Sequence, residues 1–285
     1  MRVLTIMGGP RKGYGTIIMQ QLEYQLKLLQ EVEFEYLYLK DVNLESCRGC
    51  LNCFFKGEDK CPVGNDDRDV IINKIDQADG VIFMAPAYAL HVPALMKKFF
   101  DRLSYIFHRP RFFGKIAIGV CNQGIADAKT ITRYFNKVAD SWGFNFVHRL
   151  EVRTMPIKGA ERKILKKIKT TSKVFIKALN GKRYQKPSLG GVLGFKIRKT
   201  LHNIAIDETN ADYKYWFEQG WLEDDKQYYY DTRIGIIKRI IAGLLNLFLK
   251  PQFKKMFAGD PQQIYNQYLK LESLKFENQT LLSLN

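Results

Sequence analysis

The chain has 285 residues, 46% hydrophobic and 26% charged, with 45 Lys+Arg against 29 Asp+Glu and a net charge of +16. This composition excludes a disordered, collagen-like or low-complexity chain, and the length suffices to bury a core without disulfides. Gly8-Gly9-Pro10 interrupts the N-terminus too early for a secretory leader, and no apolar run reaches the roughly 18 residues of a membrane span, so a cytoplasmic protein is expected.

Arg2–Met7 is a β-favouring run that stops at Gly8-Gly9-Pro10. From Thr16 the period becomes helical, with Ile18, Leu22, Leu26 and Leu29 on one face. Glu33–Leu39 alternates as a second strand, and Asp69–Ile75 reads as a short helix. Gly80–Met84 is a third strand, followed by a helix over Pro93–Phe107 whose proline suits a first turn. Lys115–Cys121 and Phe144–Val152 supply strands four and five, separated by a helix over Ile125–Trp142. Ala160–Leu179 is a basic amphipathic helix with Ile164, Leu165, Ile168, Phe175 and Leu179 expected inward.

This alternation predicts the α/β class, with a doubly wound five-stranded parallel sheet covered by helices on both faces over residues 1–180. Asn180–Gly194 has the Gly, Pro and Lys content of a linker. Residues 181–285 then read as a mainly helical, basic and aromatic C-terminal extension.

Gly8–Thr16 joins strand one to helix one. Its small and turn-forming residues let the backbone curl around one anion, with Arg11 and Lys12 for charge and the Thr16 hydroxyl as a donor. The pattern is neither a Walker A loop nor G-x-G-x-x-G, and the alternative is a purely structural turn. The loop after strand three, Ala85–Pro93, is also irregular. With strand order 2-1-3-4-5, both loops flank the point where the order reverses, which is where open α/β sheets bind ligands.

Four of the five cysteines fall within 15 residues, as Cys47-x2-Cys50-x2-Cys53-x7-Cys61 followed by Pro62. Three thiols at successive x2 spacings wrap one compact object, as in ferredoxin loops that hold a [4Fe–4S] cluster. Structural zinc usually takes two separated knuckles, which disfavours zinc here. Free thiols, a redox dithiol or an oxidised pair are the alternatives. Cys121, at the end of a buried strand, reads as a small core residue.

GGPRKGYGT, then APAY, then Met96–Arg102 (MKKFFDR) resemble the flavodoxin-like NADPH-dependent FMN reductase family, with its G-S-P-R-x-x-x-x-T loop, S-P-x-Y loop and K-x-F-x-D-R helix. The resemblance implies that Arg11, Gly13, Gly15 and Thr16 hold the FMN phosphate. It places Pro86, Ala87 and Tyr88 along the isoalloxazine, with Asn122, Gln123 and Gly124 closing the other side. Gly9, Pro10, Tyr14 and Ala85 complete the candidate cofactor-binding set. The family's serines are Gly9 and Ala85 here, so two hydroxyl contacts are absent. The cysteine motif, placed after strand two, resembles the iron–sulfur flavoprotein branch, which implies a [4Fe–4S] cluster on Cys47, Cys50, Cys53 and Cys61.

No catalytic side chain is assigned. His91, His108, His148 and His202 are scattered without ligand spacing, and no Ser/His/Asp order or carboxylate pair calls for hydrolysis. Residues 151–285 carry 25 basic and 13 acidic side chains, and Arg153–Lys199 holds 15 basic residues with Glu161 alone acidic. Such a stretch could dock an acidic electron carrier such as ferredoxin. No nucleic-acid motif accompanies it. Ile234–Leu249 is apolar nearly all round, and burial against the domain or a twofold partner is expected. A peripheral membrane contact through 234–255 is the alternative.

Together these features predict an FMN-dependent oxidoreductase, an iron–sulfur flavoprotein that passes electrons between NAD(P)H or ferredoxin and an acceptor such as a quinone, as a homo-oligomer. The alternatives are a cluster-free NAD(P)H:quinone or FMN reductase, and a non-enzymatic flavin electron carrier.

Overall fold

β1 (Arg2–Met7) buries five of its six residues in succession, as a strand covered on both faces must. The computed structural model that shows this describes residues 1–124, 128–155, 159–182, 184–204 and 206–257. β2 (Glu33–Tyr38), β3 (Gly80–Pro86), β4 (Ile116–Gln123) and β5 (Asn145–Arg153) join β1 in a parallel sheet of order β2-β1-β3-β4-β5. The central β3 is buried along its first six residues, whereas the edge strands β2 and β5 are half-buried. The chain is therefore the expected flavodoxin-like α/β fold.

One face of the sheet packs against α1 (Tyr14–Lys27), whose Ile18, Met19, Leu22 and Leu26 point inward. In chain order α2 (Asn52–Phe55), α3 (Arg68–Gln77), α4 (Ala94–Arg102) and α5 (Ala128–Trp142) follow. The last three cover the other face around an aromatic core of Phe83, Phe99, Phe100, Phe135 and Trp142. α6 (Ala160–Leu179) returns to the α1 side through Ile168 and Phe175. Gly80 admits this packing, because a Cβ there would lie 2.6 Å from the Phe175 ring.

Several expectations need correction. Leu29 lies in the turn beyond α1 and is 46% exposed, so it does not continue that helix's inner face. Leu165 is exposed on α6. The helix expected over Pro93–Phe107 stops at Arg102, where Leu103 leaves helical geometry (φ −103°, ψ 21°), and a 3₁₀ turn over Ser104–Phe107 follows. The presumed linker is partly helical, since α7 (Leu189–Ile204) begins inside it. Residues 125–127 of the helix expected over Ile125–Trp142 lie outside the described residues.

The chain divides into two compact units, Met1–Gln185 with Thr209–Tyr215, and Lys186–Glu208 with Trp216 onward. α8 (Ala211–Glu218) spans the division. The second unit has its own core, in which Trp216 is fully buried among Phe195, Trp221 and Tyr229. The Trp221 indole donates to the Tyr229 carbonyl at 2.9 Å, so its polar end is satisfied. α9 (Ile236–Phe257) closes the described chain. Among the described residues, no helix is long and apolar enough to cross a membrane.

Candidate functional site

Strand register builds the floor of a cleft at the carboxyl edge of the sheet. Met7 pairs with Tyr38 on β2 and with Met84 on β3, and Pro86 pairs with Asn122 on β4. The resulting cleft, of about 610 Å³, lies where the strand order reverses. Gly9, Pro10, Arg11, Gly13, Tyr14, Gly15 and Thr16 line it from the first loop. Pro86, Ala87 and Tyr88 line it from the second, and Asn122, Gln123 and Gly124 from the third. Ala85 does not reach it: its side chain is fully buried in the core.

The first loop is shaped for close approach. A Cβ on Gly15 would stand 2.6 Å from Met84 Cε and 3.2 Å from Asn122 Oδ1, so glycine lets α1 start against the ends of β3 and β4. Gly13 caps α1 without a side-chain bond, and the first turn holds no acid. The positive end of the helix dipole therefore faces the cleft with no acid in its first turn to offset it. Lys12 rests its ammonium over the Tyr38 ring at 5.0 Å.

Among the described residues, three buried oxygens on residues lining this cleft have no hydrogen-bond partner: Thr16 Oγ1, Asn122 Oδ1 and Gln123 Oε1. Buried polar atoms are seldom left unpaired, since each costs about 1–3 kcal/mol. Their convergence on one cleft fits a polar ligand. The rim beyond β3 is strained: Tyr88 and His91 exchange both backbone hydrogen bonds at 2.9 Å around Ala89 (φ 45°) and Leu90 (φ 65°). Non-glycine residues in this region are held against their preference, commonly at ligand clamps. The His91 ring packs on Tyr134 at 4.9 Å rather than standing free.

Sequence reasoning did not place Met7, Ile17, Tyr38, Met84 and Thr154 at the cleft. They arrive by register and by the end of β5, where Thr154 bonds the Gln123 carbonyl through its amide (2.8 Å) and hydroxyl (2.9 Å). No local pattern announces such positions.

Cys47, Cys50, Cys53 and Cys61 sit on the segment between β2 and α3, the first two exposed and the others half-buried. Gly49 and Leu51 take left-handed backbone (φ 66° and 61°), which winds the segment tightly. The Gly49 amide donates to Cys47 Sγ at 3.4 Å, and an Arg102 guanidinium nitrogen donates to Cys61 Sγ at 3.2 Å. Burial raises the Cys53 thiol pKa; the Arg109 charge opposes this, while Cys47 and Cys61 add to it. Cys121 is in the core, as expected.

Three buried arginines brace this segment. Arg102 pairs with buried Asp66 at 2.7 Å and donates to the Val63 carbonyl at 2.6 Å. Asp66 in turn accepts from the Glu45 amide at 3.1 Å, tying both ends of the segment to one ion pair. Arg109 donates to the Cys53 carbonyl (2.6 Å) and pairs with Glu58 (2.7 Å) and Asp212 (3.1 Å). Arg68 reaches the Glu58 carbonyl at 2.9 Å. His108, bonded to Asp212 at 2.7 Å, stacks flat on Phe54 beside Cys53 at 4.2 Å.

Four thiols with N–H donors aimed at two of their sulfurs are a soft donor set, suited to an iron–sulfur centre. In this conformation no three His, Cys, Asp or Glu side chains among the described residues are close enough to hold a metal ion. The fit therefore rests on donor chemistry and bracing.

The model of the NADPH-dependent FMN reductase family matches residues 1–152. An iron–sulfur flavoprotein of Archaeoglobus fulgidus is 30% identical over 226 residues, covering 78% of this chain and all of its own. An iron–sulfur flavoprotein of Clostridioides difficile is 32% identical over 231 residues, covering 77% of this chain and 99% of its own. A solved flavone reductase aligns with a TM-score of 0.49 at 16% identity, over 65% of this chain and 66% of its own. The cleft at the strand reversal and the braced cysteine segment thus stand in a chain that belongs to the NADPH-dependent FMN reductase family, in its iron–sulfur flavoprotein branch, and is an FMN-dependent oxidoreductase.

Proposed function

We propose that this oxidoreductase holds FMN in the cleft and a [4Fe–4S] cluster on Cys47, Cys50, Cys53 and Cys61, passing electrons between NAD(P)H or a ferredoxin-like donor and a small-molecule or protein acceptor. The observation that carries the flavin assignment is that Thr16, Asn122 and Gln123, each with a buried oxygen unpaired among the described residues, line one cleft headed by the α1 N-terminus. The cluster assignment is supported by the braced four-thiol segment and by the names of the relatives.

Bound together, FMN and the cluster would supply two-electron and one-electron chemistry respectively. The chain supplies position and charge. Gly9–Thr16 wraps the phosphate, with the Thr16 hydroxyl donating to it and Arg11 and Lys12 balancing its charge. Pro86, Ala87 and Tyr88 form an apolar wall for a flat ring, and the Asn122 and Gln123 oxygens accept from N–H groups on its edge. Arg102 would orient Cys61 by donating to its Sγ, and Arg109 would fix the backbone at Cys53.

A Cys50→Ala variant tests the two-site picture. It is expected to purify without its iron and sulfide while keeping FMN at wild-type stoichiometry. Loss of both cofactors together would contradict separate sites.

A further inference from the structure

The second unit carries a surface that neither the cleft nor the cysteine segment uses. α9 turns Ala242 and Asn246 inward, and the Asn246 amide oxygen accepts from the Thr200 hydroxyl of α7. Lys238 on the same side donates to the Pro187 carbonyl at 2.7 Å. The opposite side presents Ile237, Ile240, Ile241, Leu244, Leu247 and Phe248, each between 41% and 74% exposed. Their spacing follows the helical period over three turns, so they form one continuous apolar stripe. Of the two covers expected for this segment, the domain and a twofold partner, the described residues of the chain itself do not supply one for this face. Contiguous apolar surface of this kind marks an interaction site.

The chemistry around the stripe selects the occupant. α9 contains no Asp or Glu, whereas Lys238, Arg239, Lys250, Lys254 and Lys255 lie along it. Beside its C-terminal half, Lys196 and Lys199 of α7 and Lys250 and Lys254 of α9 line a cleft of about 620 Å³, where Asp224 is the single acidic residue in the lining. The buried Lys199 ammonium is held by the carbonyls of Glu223 and Lys226, so its charge is fixed in place. Two copies joined through this face would oppose cation to cation within a chain of net charge +16. An acidic surface would instead be attracted. Among the described residues, α9 is not long and apolar enough to cross a bilayer and nothing covers its apolar side, which is the geometry of a helix lying in the interface plane.

We propose that α9 docks the protein in the plane of an anionic phospholipid surface, with the apolar stripe in the headgroup–acyl boundary and the flanking Lys250 and Lys254 ammoniums reaching the level of the lipid phosphates. The face lies outside residues 1–152 matched by the family and does not depend on the flavin assignment.

Co-sedimentation of the full chain with vesicles tests this. Binding is expected to vesicles of phosphatidylcholine with phosphatidylglycerol, and to be weaker with phosphatidylcholine alone. Leu244→Glu should weaken it at least about tenfold, and Lys250→Gln and Lys254→Gln about fivefold each. Leu244 is 63% exposed, so the glutamate leaves the fold and the flavin content unchanged, checked on the same sample by thermal melting and absorbance. Three results would overturn the proposal. One is equal binding to both vesicle types. Another is absence of binding by the wild type. The last is a wild-type dimer that sedimentation velocity shows without vesicles and that Leu244→Glu dissociates, which would make the occupant a second copy.

Discussion

Thr16 is the residue on which the flavin reading bears most directly, because its buried hydroxyl has no partner among the described residues. A hydrogen bond to a charged phosphate contributes about 1.5–3 kcal/mol. Thr16→Val should therefore weaken FMN binding by at least about tenfold, read by flavin fluorescence as apoprotein is titrated. The unfolding free energy of that apoprotein should not fall, since the valine leaves no buried hydroxyl unsatisfied. A structural role for Thr16 would give the opposite pair of results. His148 offers a separate check on β5, where burial and the neighbouring Arg149 charge lower its pKa from the ordinary 6.5. The folded state then favours the neutral ring, so stability present above pH 6.5 is lost as pH falls below it. His148→Gln should flatten that acid limb in urea titrations at a series of pH values. At this scale, the glycines and threonine of the first loop were legible as cleft-lining residues because turn chemistry is local. Tyr38 and Met84 were not, because register alone brings them beside Met7.

Among the elements, the turn after β3 combines strain with a site. Ala89 and Leu90 both hold positive φ where glycine or asparagine would be easier, at about 1–2 kcal/mol per residue. Leu90 is 72% exposed and gives up little packing on replacement. Leu90→Gly should stabilise the apoprotein by about 0.5–1 kcal/mol after the entropy of glycine is set against the relieved strain. FMN binding should change little, because glycine adopts the same left-handed turn and the backbone pairing of Tyr88 with His91 is kept. Denaturant unfolding and flavin titration on one preparation read both effects. The βα alternation was legible strand by strand because both periods are strong. The misjudged elements have specific causes. Glycine, proline and lysine in 180–194 hid the start of α7, since helix propensity weighs less than packing around Phe195. The arginine bracing of the cysteine segment was invisible because Arg68, Arg102 and Arg109 come from separate places in the chain.

Across the molecule, the candidate sites separate by unit. The first unit holds both candidate cofactor sites, within Met1–Gln185. The second holds an aromatic core and the exposed apolar helix, which carries five basic residues and no acid. The sign of that charge was readable from composition, but which face of α9 stays uncovered required the packing of α7 to be known. The central claim is that one chain carries a flavin and an iron–sulfur cluster. It is tested most directly by purifying the protein without oxygen and assaying FMN, iron and acid-labile sulfide on one sample alongside its absorption spectrum. The account predicts one FMN with about four irons and about four sulfides per chain, and flavin bands over a broad visible shoulder. Flavin with no iron would contradict the cluster and leave a cluster-free reductase; neither flavin nor iron would contradict both sites.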